Sequence, residues 1–325
     1  QGTAAAGINN ALGLNERIGA QCVYAPGDGL EQELAYYALQ YEQPVGSAGT
    51  KFEAAFSHTN TTPGFTLEEF DVEGRSVNGE LRLRHPFVKT RDITLTGRVQ
   101  FDWRDVDSKN NVAATREDRI RTFRAGGQFE YVDALLGAGV STIDVEVAQG
   151  LDIFGASDQD DFTSRDEGDP TFTKLEVSFQ RLQRIIDNLN LLVRAEGQWA
   201  NRALLSSEEF SVGGMSLGRG YDSSEIIGDD GIAGTLEFQW NNPYPARGMD
   251  SYQLFAFYDA GRIWNEQPVA VGDEKNTLTS TGFGIRTQWP HDVSFDFTVA
   301  IPLNREVQTT GDESARYFFR VGKRF

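Results

Sequence analysis

The sequence predicts an all-β fold, a transmembrane antiparallel β-barrel of about 16 strands with a long inward-folded loop between strands 11 and 12. Three observations carry the prediction. Apolar and polar residues alternate along many short segments, the polar side of most segments carries both signs of charge, and aromatic residues stand near segment ends. Residues 1–325 are expected to form a single barrel domain.

The alternation is clearest in residues 93–104, which read ITLTGRVQFDWR. Successive side chains of a strand point to opposite faces, so this segment has one apolar and one polar face. About sixteen strand candidates can be counted along the chain, at roughly 20 residues for each strand and its connection, and both numbers are typical of outer-membrane barrels. Similar segments occupy residues 18–25, 34–42, 51–58, 77–84, 119–131, 140–148, 174–180, 189–199, 232–240, 251–264, 278–289, 293–301 and 315–325.

A soluble β-sandwich also produces alternating strands. The barrel is favoured because charges of both signs on the polar faces suit a solvated interior. Aromatic residues at strand ends are typical of girdles at a membrane surface. The sequence has no run of 18 apolar residues, which a membrane-spanning helix would need, but the strands of a barrel cross a membrane without such a run. The aromatic residues concerned are Tyr24, Trp103, Trp199, Trp240 and Trp289.

Composition argues against several function classes. The 48 acidic and 30 basic residues give a net charge of −18, which indicates no nucleic-acid partner because phosphate contacts need a basic surface. The single cysteine, Cys22, cannot form an internal disulfide. None of the three histidines has the setting of a catalytic Ser–His pair, and the acidic segment 158–169 lacks the spacing of an EF-hand. We therefore expect no enzyme activity, no cofactor and no metal site.

Residues 208–237 form the most informative segment, EEFSVGGMSLGRGYDSSEIIGDDGIAGTLE. Its glycines permit tight turns and positive φ angles. A single arginine lies between them, an acidic turn follows, and the next strands carry carboxylates. This arrangement predicts a loop folded inward and held by a charged pair. The loop residues are Gly213, Gly214, Gly218, Arg219, Gly220, Tyr221, Gly228, Asp229 and Gly231.

The same segment resembles loop six of the superfamily that contains the BAM insertase barrel and the two-partner secretion transporters (TpsB, the ShlB/FhaC/HecB-type haemolysin activators). Residues 197–214 and the Gly-Asp-Asp-Gly turn at 228–231 are most similar to the TpsB branch. FAFYDAGRIW at 255–264 resembles the Phe-x-Asp strand of the superfamily. The last strand, ending in Phe325, resembles the C-terminal assembly signal of outer-membrane barrels. Gly218 departs from the family, which usually has an apolar residue there, and we expect it to loosen the loop tip.

The resemblance implies roles for particular residues. Arg219 would lie at the tip of the loop and pair with Asp259, and also with Glu237, while Gly220 and Tyr221 shape the tip. Strand parity independently places Glu237 on the polar face of its strand, and it places Phe257 and Asp259 on one face of the next.

Three functions remain open at this point. The leading one is a pore in the bacterial outer membrane that translocates a secreted, TpsA-like passenger protein without ATP. The alternatives are a BAM-like insertase and a passive porin-type channel. The resemblance further implies N-terminal periplasmic POTRA domains upstream. It also implies contact with outer-membrane lipid and lipopolysaccharide, insertion by the BAM machinery, and a monomeric state.

Overall fold

A computed structural model describes residues 2–26, 32–62, 72–111, 116–135, 137–158, 161–242, 248–267 and 274–324. Seventeen strands lie in this part of the chain. They are β1 (Gly2–Asn9), β2 (Arg17–Pro26), β3 (Gln32–Val45), β4 (Thr50–Thr61), β5 (Glu73–Lys89), β6 (Ile93–Lys109), β7 (Arg116–Asp133), β8 (Gly139–Gly150), β9 (Thr173–Ile186), β10 (Leu189–Ala200), β11 (Phe210–Val212), β12 (Ile226–Gly228), β13 (Asp230–Asn242), β14 (Ser251–Trp264), β15 (Lys275–Trp289), β16 (Val293–Pro302) and β17 (Arg316–Lys323).

Fifteen of these strands form one antiparallel sheet, in the order β1 to β10 followed by β13 to β17. Every strand pairs with its neighbour in sequence, and β10 pairs with β13, so the topology is a simple meander. The short strands β11 and β12 pair with each other. The all-β antiparallel prediction is therefore confirmed. Among the described residues, β1 and β17 are the two edges of the large sheet.

The described sheet has fifteen strands, and the long loop follows its tenth strand, β10. The expectation of about sixteen strands, with the loop between strands 11 and 12, stays a prediction for the whole protein.

The two faces of the sheet have opposite chemistry, as the alternation predicts. Along β13, Thr235 and Glu237 are buried, whereas Leu236 and Phe238 are about half exposed. We call these sides the polar face and the apolar face. The apolar face exposes large side chains over many strands, and so extensive an apolar surface indicates contact with lipid or another protein. Examples are Leu39, Phe56, Leu81, Trp199, Ile232, Phe283 and Phe319.

Long connections emerge at one end of the sheet. Residues 151–172, 201–229 and 303–315 each follow an even-numbered strand of the sheet, and in a meander such connections all lie at the same end. We call it the loop end. Trp103 and Trp199 stand near the loop end, and Trp240 and Trp289 stand near the opposite end. No helix in the described part of the chain is long and apolar enough to cross a membrane.

Candidate functional site

The connection between β10 and β13, residues 201–229, folds over the polar face. Its stem is the two-stranded β11–β12 ladder, in which Phe210 pairs with Gly228 and Val212 with Ile226. The turn beyond the ladder requires glycine. Gly213 has a φ of 132°, and a Cβ there would lie 2.1 Å from the carbonyl oxygen of Asp222. We call residues 208–231 the inner loop.

The inner loop has an apolar core of its own against the sheet. Its buried side chains pack against side chains from β13, β14, β15 and the 303–315 connection. Removal of this apolar surface from water stabilises the folded loop. The core consists of Val212, Leu217, Tyr221, Ile226, Ala233, Ile263, Leu278 and Val307, with Phe210 at its margin.

Arg219 joins the inner loop to two strands of the sheet. Its backbone N and Nε donate to Oδ2 of Asp259 at 2.9 and 3.0 Å, and its Nη2 donates to Oδ1 at 2.8 Å. Its Nη1 donates to Glu237 at 2.5 Å, and Nη2 also donates to the hydroxyl of Thr235 at 2.7 Å. The guanidinium lies 3.4 Å from the ring centroid of Phe257. One arginine thus contacts β13 and β14 together.

This contact is buried. Arg219 is 6% exposed, Glu237 2% and Asp259 0%. Glu237 also accepts a hydrogen bond from Arg286 at 2.8 Å, so two carboxylates face two guanidinium groups. Breaking one partner of a buried ion pair typically costs about 3–5 kcal/mol, because the remaining charge is left without compensation.

Gly220 and Tyr221 fit the loop tip against the sheet. A Cβ on Gly220 would lie 2.8 Å from the backbone N of Pro302, so only glycine allows this approach. Tyr221 is 1% exposed, and its hydroxyl donates to the carbonyl of Thr279 at 3.0 Å. The same hydroxyl accepts from the backbone N of Leu303 at 3.3 Å. The tip therefore contacts β15 and the β16–β17 connection.

The acidic turn at 228–231 is a second buried joint. Asp229 is 0% exposed and accepts from Arg165 at 2.6 and 3.3 Å. It also accepts from the backbone N of Leu204 at 2.7 Å and of Glu266 at 3.0 Å. A Cβ on Gly231 would meet the ring of Phe210 at 2.0 Å. Asp229 thus ties three connections together at the loop end.

Glu208 is a site residue that the sequence reasoning missed. Its carboxylate accepts from Nη2 of Arg124 at 2.9 and 2.8 Å, and Lys174 lies 2.8 Å away. Burial raises the pKa of Glu208, but the charges of Lys174 and Arg124 outweigh it and lower the pKa to about 2. The contact anchors the inner loop on β7 and β9, on the opposite side from Arg219. The sequence did contain a signal for this contact, because β7 and β9 each carry a basic residue at a position of the polar face.

The neighbouring Glu209 behaves differently. Its carboxylate lies 2.9 Å from Arg165, whose guanidinium is shared with Asp229. Burial, together with the nearby charge of Asp229, raises the pKa of Glu209 to about 7, although Arg165 opposes the shift. The pKa values of two adjacent glutamates at the start of the inner loop are therefore shifted in opposite directions.

Other sequence-based expectations fall elsewhere. Phe325 lies outside the described residues. Asp169 of the acidic segment contacts Arg202 and accepts from the backbone N of Thr171 at 2.7 Å. In the part of the chain that the structure describes, no three His, Cys, Asp or Glu side chains are grouped to hold a metal ion.

The sequence matches the family of haemolysin secretion/activation proteins ShlB/FhaC/HecB over residues 1–287. Among curated relatives, the heme/hemopexin transporter protein HuxB of Haemophilus influenzae (strain 86-028NP) is 20% identical over 306 residues, covering 92% of this chain and 53% of HuxB. The outer membrane transporter CdiB of Escherichia coli is 29% identical over 190 residues, covering 57% of this chain and 30% of CdiB. The chain thus spans about half or less of the relatives' length.

Solved structures show the same fold. CdiB from Escherichia coli superimposes with a TM-score of 0.79 at 21% identity, covering 98% of this chain and 58% of CdiB. BamA from Haemophilus ducreyi, lacking POTRA domains 1–3, has a TM-score of 0.68 at 14% identity, covering 98% of this chain and 66% of BamA.

Proposed function

The chain belongs to the ShlB/FhaC/HecB family of haemolysin secretion/activation proteins, and on that premise we propose that it is the barrel of a two-partner secretion transporter. It is an integral protein of the bacterial outer membrane. The apolar face of the sheet contacts lipid, and the polar face encloses a solvated pore. A secreted, TpsA-like partner protein crosses the membrane through this pore. The curated relatives support this assignment, because HuxB is named a transporter protein and CdiB is named an outer membrane transporter.

The proposal extends to the finer architecture. We propose a closed barrel of about sixteen strands in the whole protein, with the inner loop lying in the lumen and the loop end facing outside the cell. Residues 1–325 form its barrel domain, with periplasmic POTRA domains as a separate part of the transporter. The BAM machinery inserts the barrel, which works as a monomer in lipid that contains lipopolysaccharide.

The observation that carries the functional role is the buried contact of Arg219 with Asp259 and Glu237. It fixes a long loop against the wall through which the partner protein would pass. We propose that it holds the inner loop in the position that permits secretion. Transport needs no ATP in this scheme, because folding of the partner outside the cell draws the chain outward.

An insertase barrel and a passive porin are the competing functions. The likeness to BamA concerns the fold, whereas the family match and the curated relatives concern secretion proteins. A porin also folds a loop inward, but it does not require the buried Arg219 contact with two strands. The family match therefore favours the transporter, and the family is not one of enzymes.

The test is secretion by the full-length protein with its cognate partner. We expect Arg219→Ala to leave the protein in the outer membrane and to reduce secretion at least about tenfold, which corresponds to roughly 1.4 kcal/mol at the transport step. Arg194→Ala is the matched control, because Arg194 lies on the same face and contacts only Gln180 among the hydrogen-bond partners described. Undiminished secretion by Arg219→Ala would remove the role of the loop. If the wild-type protein secreted no partner protein at all, the transporter assignment would be wrong.

A further inference from the structure

The connection that follows β8 leaves the sheet on the apolar face. The backbone N of Leu151 donates to the carbonyl of Arg121 at 2.8 Å, and the backbone N of Ser157 donates to the carbonyl of Arg119 at 2.9 Å. The ends of this segment therefore continue the pairing with β7. Residues 152–156 between them project outward, and we call them the outer excursion.

The tip of the outer excursion displays an aromatic ring. Phe154 has a φ of 52° and precedes Gly155, with a φ of 68°. A positive φ is uncommon for a bulky residue, so the surrounding contacts must hold this turn. The ring packs edge-on against Phe101, with 6.3 Å between centroids, yet Phe154 remains 74% exposed. The turn therefore presents a large apolar side chain to the surroundings.

The depth of Phe154 follows from the strand register. Phe101 and Trp103 both lie on the apolar face of β6, and Trp103 stands nearer the loop end. Two residues along a strand span roughly 7 Å. Phe154 packs on Phe101, so it reaches past Trp103 towards the middle of the sheet. In a membrane-spanning barrel, Trp103 would lie at the interface and Phe154 would lie among the acyl chains.

A buried arginine fixes the excursion at this place. Arg121 lies opposite Trp103, on the apolar face, but it is 2% exposed. Its Nη2 donates to the carbonyl of Phe154 at 3.4 Å, and its Nη1 donates to Asp105 at 2.7 Å. Its guanidinium lies 4.7 Å from the ring centroid of Trp103. The charge is thus paired and covered on a face that would otherwise expose it to lipid.

We propose that the outer excursion is a membrane anchor, in which Phe154 and Ile153 insert into the outer leaflet and contact acyl chains. The inference rests on the proposed barrel in the outer membrane and goes beyond it, because it assigns a connection at the loop end to lipid instead of water. Continuity with the exposed apolar face identifies lipid as the occupant. The anchor would set the height of the β6–β8 wall in the membrane.

Fluorescence quenching in liposomes tests the proposal. In the full-length protein, Cys22 and every cysteine outside residues 1–325 are replaced by serine. This protein then receives one cysteine at a time, labelled with NBD, in phosphatidylcholine vesicles containing lipids with a nitroxide at acyl carbon 5 or 12. Phe154→Cys reports on the anchor. Leu81→Cys, on the apolar face of β5, is the control for the membrane span, and Glu313→Cys, exposed in the 303–315 connection, is the control for water.

We expect the label at 154 to be quenched at least about twofold more than the label at 313, and more by the shallow nitroxide than by the deep one. Quenching at 154 equal to that at 313 overturns the anchor while leaving the barrel intact, provided that 81 is quenched. Lack of quenching at 81 overturns the proposed membrane span itself. Heat-modifiable migration in electrophoresis shows whether each variant has folded. If Phe154→Cys does not fold, Ile153→Cys takes its place, with the same outcomes.

Discussion

The backbone N, Nε and Nη2 of Arg219 all donate to the carboxylate of Asp259, at 2.9, 3.0 and 2.8 Å. The carboxylate thus fixes the backbone of the inner loop and the guanidinium in one geometry. Because the backbone N takes part, the position of the loop depends on Asp259 even when the side chain of residue 219 is changed.

The planar guanidinium is needed for this geometry. Arg219→Lys keeps the positive charge but cannot contact Asp259, Glu237 and Thr235 together, because lysine lacks the rigid fork of donors. We expect the free energy of unfolding to fall by about 2 kcal/mol and secretion to fall with it. Urea unfolding of the barrel in detergent measures the first, and Arg194→Lys is the control. Equal stability of Arg219→Lys and the wild-type protein would contradict the claim that the forked guanidinium is needed.

A double-mutant cycle isolates the pair. Arg219→Gln and Asp259→Asn should each destabilise the barrel, and their effects should be non-additive by about 1–3 kcal/mol because the residues are in direct contact. Exchange of the two residues should not restore stability. An arginine at 259 would face the backbone N–H of residue 219, and an aspartate at 219 would face Glu237. Additive single effects in the unfolding measurement would argue against the contact.

Glu208 should be as important for the loop as Arg219. Glu208→Gln removes the carboxylate that Arg124 and Lys174 share, although Arg124 keeps its contact with Asp102. We expect a loss of about 1.5–3 kcal/mol in the free energy of unfolding, the typical contribution of hydrogen bonds to charged groups. The inner loop should also become sensitive to protease. Limited proteolysis followed by mass spectrometry measures this, with the exposed Glu167→Gln as control. Protection equal to that of wild type would exclude a second anchor.

The raised pKa of Glu209 predicts a pH dependence. A carboxyl group whose pKa is raised on folding binds its proton more tightly in the folded state, so its contribution to stability declines as pH rises from about 4.5 to about 7. Glu209→Gln should remove that part of the decline. Unfolding curves at pH 5 and pH 8 measure it. If stability declines with rising pH equally in the wild-type protein and in Glu209→Gln, the decline is due to groups other than Glu209.

Gly218 should be indispensable for the fold of the inner loop. Its φ is 92°, and a Cβ there would lie 2.9 Å from Leu278 and 3.2 Å from Gly213. Gly218→Ala therefore combines backbone strain with a clash. Gly311→Ala is the matched control, because Gly311 also has a positive φ, 65°, but has open space around it. We expect Gly218→Ala to lower the melting temperature clearly more than Gly311→Ala does. Similar decreases in melting temperature for the two variants would mean that backbone strain, without the clash, accounts for the effect.

The sequence by itself determined which side chains share a face. Strand alternation is a local property of the backbone, so the position of Glu237 beside Thr235 and of Phe257 beside Asp259 could be read from parity. The family motif added Arg219 as the residue that faces them. The expected loosening by Gly218 stays a prediction, while the structure shows that this glycine permits a close approach to Leu278.

Only the tertiary structure decided which distant residues meet. Glu208 contacts Arg124 and Lys174, and Asp229 contacts Arg165, across separations along the chain that no periodicity describes. The outer excursion is a further case, because a connection can lie on either face of the sheet. Contacts of this kind depend on how long connections fold back onto the sheet, and local sequence pattern carries no information about that path.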